Sequence, residues 1–119
     1  MEQKDIISRE DIEYLVDTFY GRVKEDPLLA PHFSHVDWNK HLPVMYNFWS
    51  SMMLGEQSYR GSPFEKHVSL PLTAAHFTAW IRLFLEVVDR NFSGAQAEEI
   101  KMRAQSIANV FQHKMNLMT

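Results

Sequence analysis

The stretch GSPFEKHVSLPLTAAHFTAW, residues 61–80, carries His67 on a short segment bounded by Pro63 and Pro71. Proline fixes φ and has no backbone N–H, so the two prolines limit any helix between them to about two turns. A histidine on so short and stiff a segment can present one ring nitrogen in a fixed direction, which a metal ligand requires. The alternative from this stretch alone is a partly buried histidine bonded to a backbone carbonyl, and the rest of the chain has to decide between them.

The composition indicates one soluble domain with a substantial core. The chain has 119 residues, of which 45% are hydrophobic and 13% aromatic. The absence of cysteine excludes disulfide scaffolds, thiolate zinc sites and cysteine nucleophiles, and it fits a reducing compartment. A net charge of −3 gives no general attraction to nucleic acid. No apolar run approaches the roughly 18 residues of a membrane span. We therefore expect a cytoplasmic protein with neither nucleic acid nor a membrane as its partner.

Apolar residues recur at helical spacing near the start of the chain. Ser8 and Asp11 mark the beginning of a helix, and Pro27 marks its end. The apolar stripe of this helix is Ile12, Leu15, Val16, Phe19, Tyr20 and Val23. Residues 27–36 are predicted to be irregular or to form one or two short helical turns, with Phe33 anchored in the core.

A second helix is predicted after Asp37, which can cap it, and Gly55 is its expected end. Its apolar stripe is His41, Met45, Phe48, Trp49 and Met52. Pro43 lies near the start of this stripe. It predicts a regular helix that begins only around Leu42 or is kinked there.

Two more helices are predicted after the segment that carries His67. Thr73 is the expected cap of the first, whose apolar stripe is Phe77, Trp80, Ile81, Phe84, Leu85 and Val88. After a turn over residues 91–94, Ser93 and Gln96 resemble a capping box. The last stripe is Ile100, Ala104, Ile107, Ala108, Phe111 and Met115. The pattern contains no convincing strand, so we predict an all-α fold, which apolar packing alone can hold together.

Several motifs in this order resemble the truncated haemoglobins, and specifically their third group. The motifs are Phe19-Tyr20, then DWNKHLPVMYNFWSSMMLGE at 37–56, then HVSLP at 67–71 and FTAWIRLF at 77–84. The resemblance extends from about Ile12 to Phe111. The other two groups are less similar because the glycine-pair motifs of those groups are missing from this sequence.

The resemblance implies a two-over-two helical sandwich around haem b (iron protoporphyrin IX). His67 occupies the position of the proximal ligand, so its Nε2 is expected to bind the iron. Its other ring nitrogen is expected to donate to a carbonyl that fixes the orientation of the ring. A purely structural histidine is the alternative.

The same resemblance assigns three residues to the opposite, distal side of the haem. Tyr20 matches a tyrosine whose phenol donates to a bound ligand, although a core tyrosine bonded to a carbonyl is the alternative. His41 matches a distal histidine that gates the pocket, donates to the ligand or binds the iron itself, and a solvent-facing histidine is its alternative. Trp80 matches a tryptophan of the distal pocket, where its indole N–H is a donor, or else it has a pure packing role.

Further contacts to haem are expected from the helix stripes and from the segment before His67. The apolar candidates, each of which also suits ordinary core, are Phe33, Met45, Phe48, Trp49, Phe77, Phe84, Ile107 and Phe111. Arg60 and Lys66 are candidates to pair with the haem propionates, and Tyr59 to add a hydrogen bond. Other histidines, among them His32 and His76, are expected at the surface or in helix caps.

Two classes of function follow. The first is a haem protein that binds O2, NO, CO or peroxide, with nitric-oxide dioxygenase or peroxidase-like chemistry if an external reductase supplies electrons. The second is a cofactor-free helical bundle that acts as an interaction module. The apolar stripes are accounted for by one core, so a single-domain monomer over residues 1–119 is expected in either case.

Overall fold

The structure is a computed structural model that describes residues 3–34, 36–55 and 73–114. These residues form four α-helices and one short 3-10 helix. In chain order they are α1 (Arg9–Val23), the 3-10 helix (Ala30–Phe33), α2 (Trp38–Leu54), α3 (Ala74–Asn91) and α4 (Ala95–Lys114). No strand occurs in the described ranges, and the all-α prediction is confirmed. The segment that carries His67, where the prolines limit any helix to about two turns, lies outside the described residues.

Helix α1 begins where the sequence predicts, and it buries the predicted face. The Ser8 side chain accepts a hydrogen bond from the backbone of Asp11, and the Asp11 carboxylate accepts one from the Ser8 N–H, so the two residues close a capping box. All six residues of the predicted apolar stripe are buried. Burial alone would raise the pKa of Asp11, but the Ile7 N–H and the Lys4 ammonium outweigh it and lower that pKa. The carboxylate is therefore held ionised at the helix start, where its charge is favourable.

Helix α2 starts earlier than Pro43 predicts. Asp37 caps it, with its carboxylate accepting from the Asn39 N–H and its carbonyl accepting from the backbone N–H of His41. The later start around Leu42 is therefore wrong. Pro43 cannot donate to the Asn39 carbonyl, but both residues are exposed, so water can satisfy that carbonyl. The helix ends as predicted at Gly55, which adopts φ +74°.

Helix α3 has a wider buried face than the predicted stripe. Phe77, Phe84 and Val88 are buried as expected, whereas Trp80, Ile81 and Leu85 are only partly buried. Three residues that the prediction missed, Ala79, Leu83 and Val87, complete the buried face. The reason is that α3 packs against both α1 and α4, so it has two neighbours rather than one.

The N-terminus of α4 is capped by a distant residue, and the predicted capping box of Ser93 and Gln96 is wrong. The backbone N–H groups of Gln96 and Ala97 donate to the Asp5 carboxylate, at 3.0 and 2.8 Å. The Ser93 hydroxyl instead donates to the Gln3 carbonyl. Burial would raise the pKa of Asp5, but its backbone hydrogen bonds outweigh that effect and lower the pKa. The chain segment before α1 thus supplies the helix cap of α4.

We expect Gly94→Ala to lower the free energy of unfolding by about 1–3 kcal/mol. Gly94 adopts φ +128°, and a Cβ there would lie 2.6 Å from the Asp5 Cγ. Gly21→Ala is the matched control, because Gly21 lies in α1 with open space around the position of a Cβ. We expect that control to raise stability by about 0.5–1 kcal/mol. Urea unfolding measures the stability of both variants. Equal stability would contradict the close approach of the Asp5 side chain to Gly94, which leaves no room for a Cβ.

The helices form two packed pairs. Helix α1 packs on α2, α3 packs on α4, and α1 also packs against α3, so one pair lies over the other. Phe19 lies at the crossing, with its ring centroid 5.7 Å from that of Trp80 and 5.2 Å from that of Phe84. This arrangement is the two-over-two sandwich that the resemblance implies. None of the helices described is both long and apolar enough to cross a membrane.

Candidate haem pocket

A largely apolar cavity lies between the two helix pairs. It encloses about 870 Å³ of empty space, counted out to its open mouth. Its walls come from α1, the 3-10 helix and the other three α-helices, so the whole sandwich contributes to it.

Most of the predicted site residues that the structure describes line this cavity. They are Tyr20, Phe33, His41, Met45, Phe48, Trp49, Phe77, Trp80, Ile107 and Phe111. Phe84 lies behind the wall, only 1% exposed, with its ring stacked between those of Trp49 and Trp80. Its role is therefore to support two lining rings. Tyr59, Arg60, Lys66 and His67 lie outside the described residues.

Tyr20 brings a buried phenol to the cavity. The residue is 7% exposed, and burial raises the pKa of its phenol. The hydroxyl therefore stays protonated across the physiological range and remains a donor. Within the described residues no hydrogen bond of this hydroxyl is found, and a buried donor of this kind favours a polar partner in the cavity.

His41 lies beside Tyr20. The centroids of the two rings are 5.4 Å apart, in an edge-to-face arrangement. The Nε2 atom of His41 is shielded from solvent, which rules out the alternative of a solvent-facing histidine. Helix α2 therefore directs this imidazole inward from its first turns, into the cavity that Tyr20 enters from α1.

Trp80 is connected to Tyr20 through one intervening ring. The Phe19 centroid lies 5.0 Å from that of Tyr20 and 5.7 Å from that of Trp80, with edge-to-face geometry on both sides. Trp80 also stacks on Phe84 at 5.7 Å. Both neighbours are buried, so the position of the indole is set by the core.

His32 and His76 form a hydrogen-bonded pair in the cavity wall that the sequence analysis missed. Their Nε2 atoms are 2.9 Å apart, which joins the 3-10 helix to the first turn of α3. The Thr73 N–H donates to Nδ1 of His76 at 2.9 Å. Neutral His76 therefore carries its proton on Nε2 and donates it to His32. Each histidine directly precedes a predicted site phenylalanine in the chain, Phe33 or Phe77, and that repeated dipeptide was the available sequence signal.

We expect the free energy of unfolding to fall as the pH drops below about 6.5, in part through His76. Burial, and then electrostatic repulsion from the neighbouring His32, lowers the pKa of His76 from its ordinary value of 6.5. At a pH between the lowered and the ordinary pKa, the unfolded chain binds more protons than the folded chain. The stability that His76 contributes is therefore complete above pH 6.5 and is lost as the pH falls through the pKa of His76 in the folded chain. Urea unfolding between pH 7 and 5 measures this.

His76→Gln should flatten that pH dependence, whereas His113→Gln, at an exposed position of α4, should leave it unchanged. Equal slopes for His76→Gln and the unmodified chain would show that the pair does not titrate with folding.

Comparison with known proteins adds the family to this geometry. The profile of a family described as bacterial-like globin matches residues 5–116. The chain belongs to the bacterial-like globin family. It is 34% identical over 118 residues to the group 3 truncated hemoglobin ctb of Campylobacter jejuni, and the match covers 93% of each chain.

A solved structure shows the same fold. The crystal structure of the group III truncated hemoglobin from Campylobacter jejuni matches this globin with a TM-score of 0.88 at 34% identity. The match covers 95% of this chain and 94% of that chain. The resemblance to the third group of truncated haemoglobins, inferred from the sequence motifs, is confirmed.

The residues of the cavity fit the haem that this family implies. The walls are mostly aromatic and aliphatic, which suits a large flat macrocycle. The lining residues that carry polar groups are Tyr20 with its phenol, the three histidines His32, His41 and His76, and the indoles of Trp49 and Trp80. A donor that stays protonated beside an inward-facing imidazole suits a small ligand held over one face of such a group. Leu29 and Ala108 also line the cavity, although the sequence analysis did not select them for the site.

Proposed function

We propose that this globin holds haem b in the cavity between its helix pairs, with His67 as the proximal ligand, and binds diatomic ligands on the distal side. The observation that carries the proposal is the buried Tyr20 phenol beside His41 at the wall of a largely apolar cavity between the helix pairs. Family membership supports haem-based ligand binding in general.

When bound, the haem supplies an iron centre that takes up O2, NO or CO and exchanges electrons. The chain supplies the surroundings. Its apolar walls exclude water, which strengthens every hydrogen bond inside the cavity. Tyr20 donates to a ligand that carries partial negative charge, and the Trp80 indole N–H is a second donor toward the ligand. His41 modulates access, and its inward Nε2 also suits a role as a sixth ligand before any gas arrives.

We further propose oxidation of nitric oxide or reduction of peroxide as the chemistry that these donors favour. Fixed donors aimed into a dry cavity stabilise charge that develops on the oxygen atoms of a reacting ligand. Turnover then needs a separate reductase, which we propose as a transient partner of the monomer. Arg60 and Lys66 remain our candidates to pair with the propionates, and Tyr59 our candidate for an added hydrogen bond.

Titration of the purified protein with haemin tests the proposal. We expect an absorption band in the Soret region that saturates at one haem per chain, and that shifts when carbon monoxide is added to the reduced protein. A protein that stays colourless with added haemin would contradict the proposal and would favour a cofactor-free interaction module. Oxygen and nitric oxide kinetics on the reduced protein, with a reductase supplied, then separate simple binding from oxidation.

A further inference from the structure

One indole contacts three of the side chains that line the cavity near Tyr20. Trp38, the first residue of α2, has its ring centroid 5.3 Å from that of Tyr20 and 5.5 Å from that of His41. Phe33 stacks on it at 5.7 Å, with an angle of 23° between the two ring planes. Tyr20, Phe33 and His41 line the cavity, whereas Trp38 stands behind them, outside the wall that the described residues form.

The Trp38 indole is in turn held in place by a lysine on its side remote from the cavity. The ammonium of Lys24, the residue that follows α1, lies 4.3 Å from the Trp38 ring centroid. A cation over an indole face attracts the ring electrostatically. Trp38 is partly buried and packs against the main core, so its ring is fixed by the cation on one side and by aromatic contacts on the others. A large ring with two side-chain torsions gives such a position at little cost in entropy.

We propose that Trp38 is a positioning residue of the distal pocket, which holds the Tyr20 phenol and the His41 imidazole in the orientations that meet a bound ligand. This inference rests on the proposed function. The contacts explain how it acts. Trp38 and His41 are three residues apart on α2, so they share one helix face, and Tyr20 enters against that face from α1. Removing the indole leaves space into which both side chains can rotate away from the ligand.

The effect on ligand binding is expected to be large, although Trp38 touches no ligand. A displacement of about 1 Å in a positioned group can cost as much as a hundred-fold in rate. We expect Trp38→Leu to raise the oxygen dissociation rate by about ten-fold, because the Tyr20 hydrogen bond is worth about ten- to a hundred-fold. Trp38→Phe keeps a ring in place and should stay within about three-fold of the unmodified protein.

Two readouts separate positioning from general destabilisation. The infrared band of carbon monoxide bound to the reduced protein should be single and narrow before substitution, and should split or broaden in Trp38→Leu. The second readout is the rate at which diethyl pyrocarbonate modifies His41. His41 has a shielded Nε2, so Trp38→Leu should speed its modification, with exposed His113 as the internal reference.

Phe92→Leu is the matched control. Phe92 is buried at the end of α3 remote from the cavity and makes an edge contact with Tyr14. This variant should lower stability without moving the infrared band, the His41 modification rate or oxygen dissociation. If Trp38→Leu does not fold, Trp38→Met retains more of the volume with a flexible side chain and serves in the same assays.

A double-mutant cycle with Tyr20→Phe makes the test decisive. If Trp38 acts through Tyr20, replacing Trp38 in the Tyr20→Phe background should change the oxygen dissociation rate much less than in the unmodified background. Equal changes in both backgrounds, or an unchanged infrared band in Trp38→Leu, would overturn the positioning role. An unmodified protein that shows no carbon monoxide band at all would overturn the proposed function instead.

Discussion

Replacing Tyr20 by phenylalanine is expected to raise the rate of oxygen dissociation from the reduced protein by about ten- to a hundred-fold. A donor to a partially charged acceptor in a dry cavity is worth about 1.5–3 kcal/mol, which corresponds to that range. Burial raises the pKa of Tyr20, so the donor stays protonated and the effect should be nearly constant between pH 6 and pH 9. Stopped-flow mixing of the oxygenated protein with carbon monoxide measures the rate.

Tyr14→Phe is the control for this experiment. Tyr14 lies on the same helix, is 56% exposed, and donates to Asn91 rather than entering the cavity. It should leave oxygen dissociation unchanged. An unchanged rate in Tyr20→Phe as well would remove Tyr20 from its distal role, although haem binding itself would stand.

Replacing His67 by alanine is expected to remove the side chain that we propose binds the haem iron on its proximal side. Neutral imidazole is a strong ligand for haem iron, and the methyl group of alanine has no atom that can bind the iron. We expect the variant to lose most of its haem during purification. Added imidazole should restore the ligation spectrum of the unmodified protein, because it can occupy the space that the side chain leaves.

His113→Ala, at an exposed position of α4, controls for the loss of a histidine as such and should bind haem normally. If His67→Ala retained haem with an unaltered spectrum, His67 would have no part in ligation, and another histidine, with His41 the first candidate, would take that role.

The helix starts that could be predicted from sequence depend on neighbours in the chain. Ser8 caps α1 through Asp11, and Asp37 caps α2 through Asn39, so each signal lies within a few residues. The cap of α4 could not be found in this way. Its acceptor is Asp5, which is 91 and 92 residues away from the two N–H groups it binds.

The same distinction, between signals from nearby residues and contacts between distant ones, applies to the residues of the site. The inward positions of Tyr20, His41 and Trp80 follow from helical periodicity and the family motifs together. The pairing of His32 with His76 joins residues 44 apart in the chain, and only packing of the 3-10 helix against α3 brings them together. Phe84 shares a stripe with Trp80, but a stripe does not show which of its rings faces a cavity and which supports it from behind.

The crystal structure of the haemin-loaded protein with carbon monoxide is the most direct test of the central claim. The account predicts haem in the cavity between the helix pairs, Nε2 of His67 on the iron, and the Tyr20 hydroxyl within hydrogen-bond distance of the ligand on the opposite face. Haem bound on the outer surface, or held in the cavity with His67 remote from the iron, would contradict it.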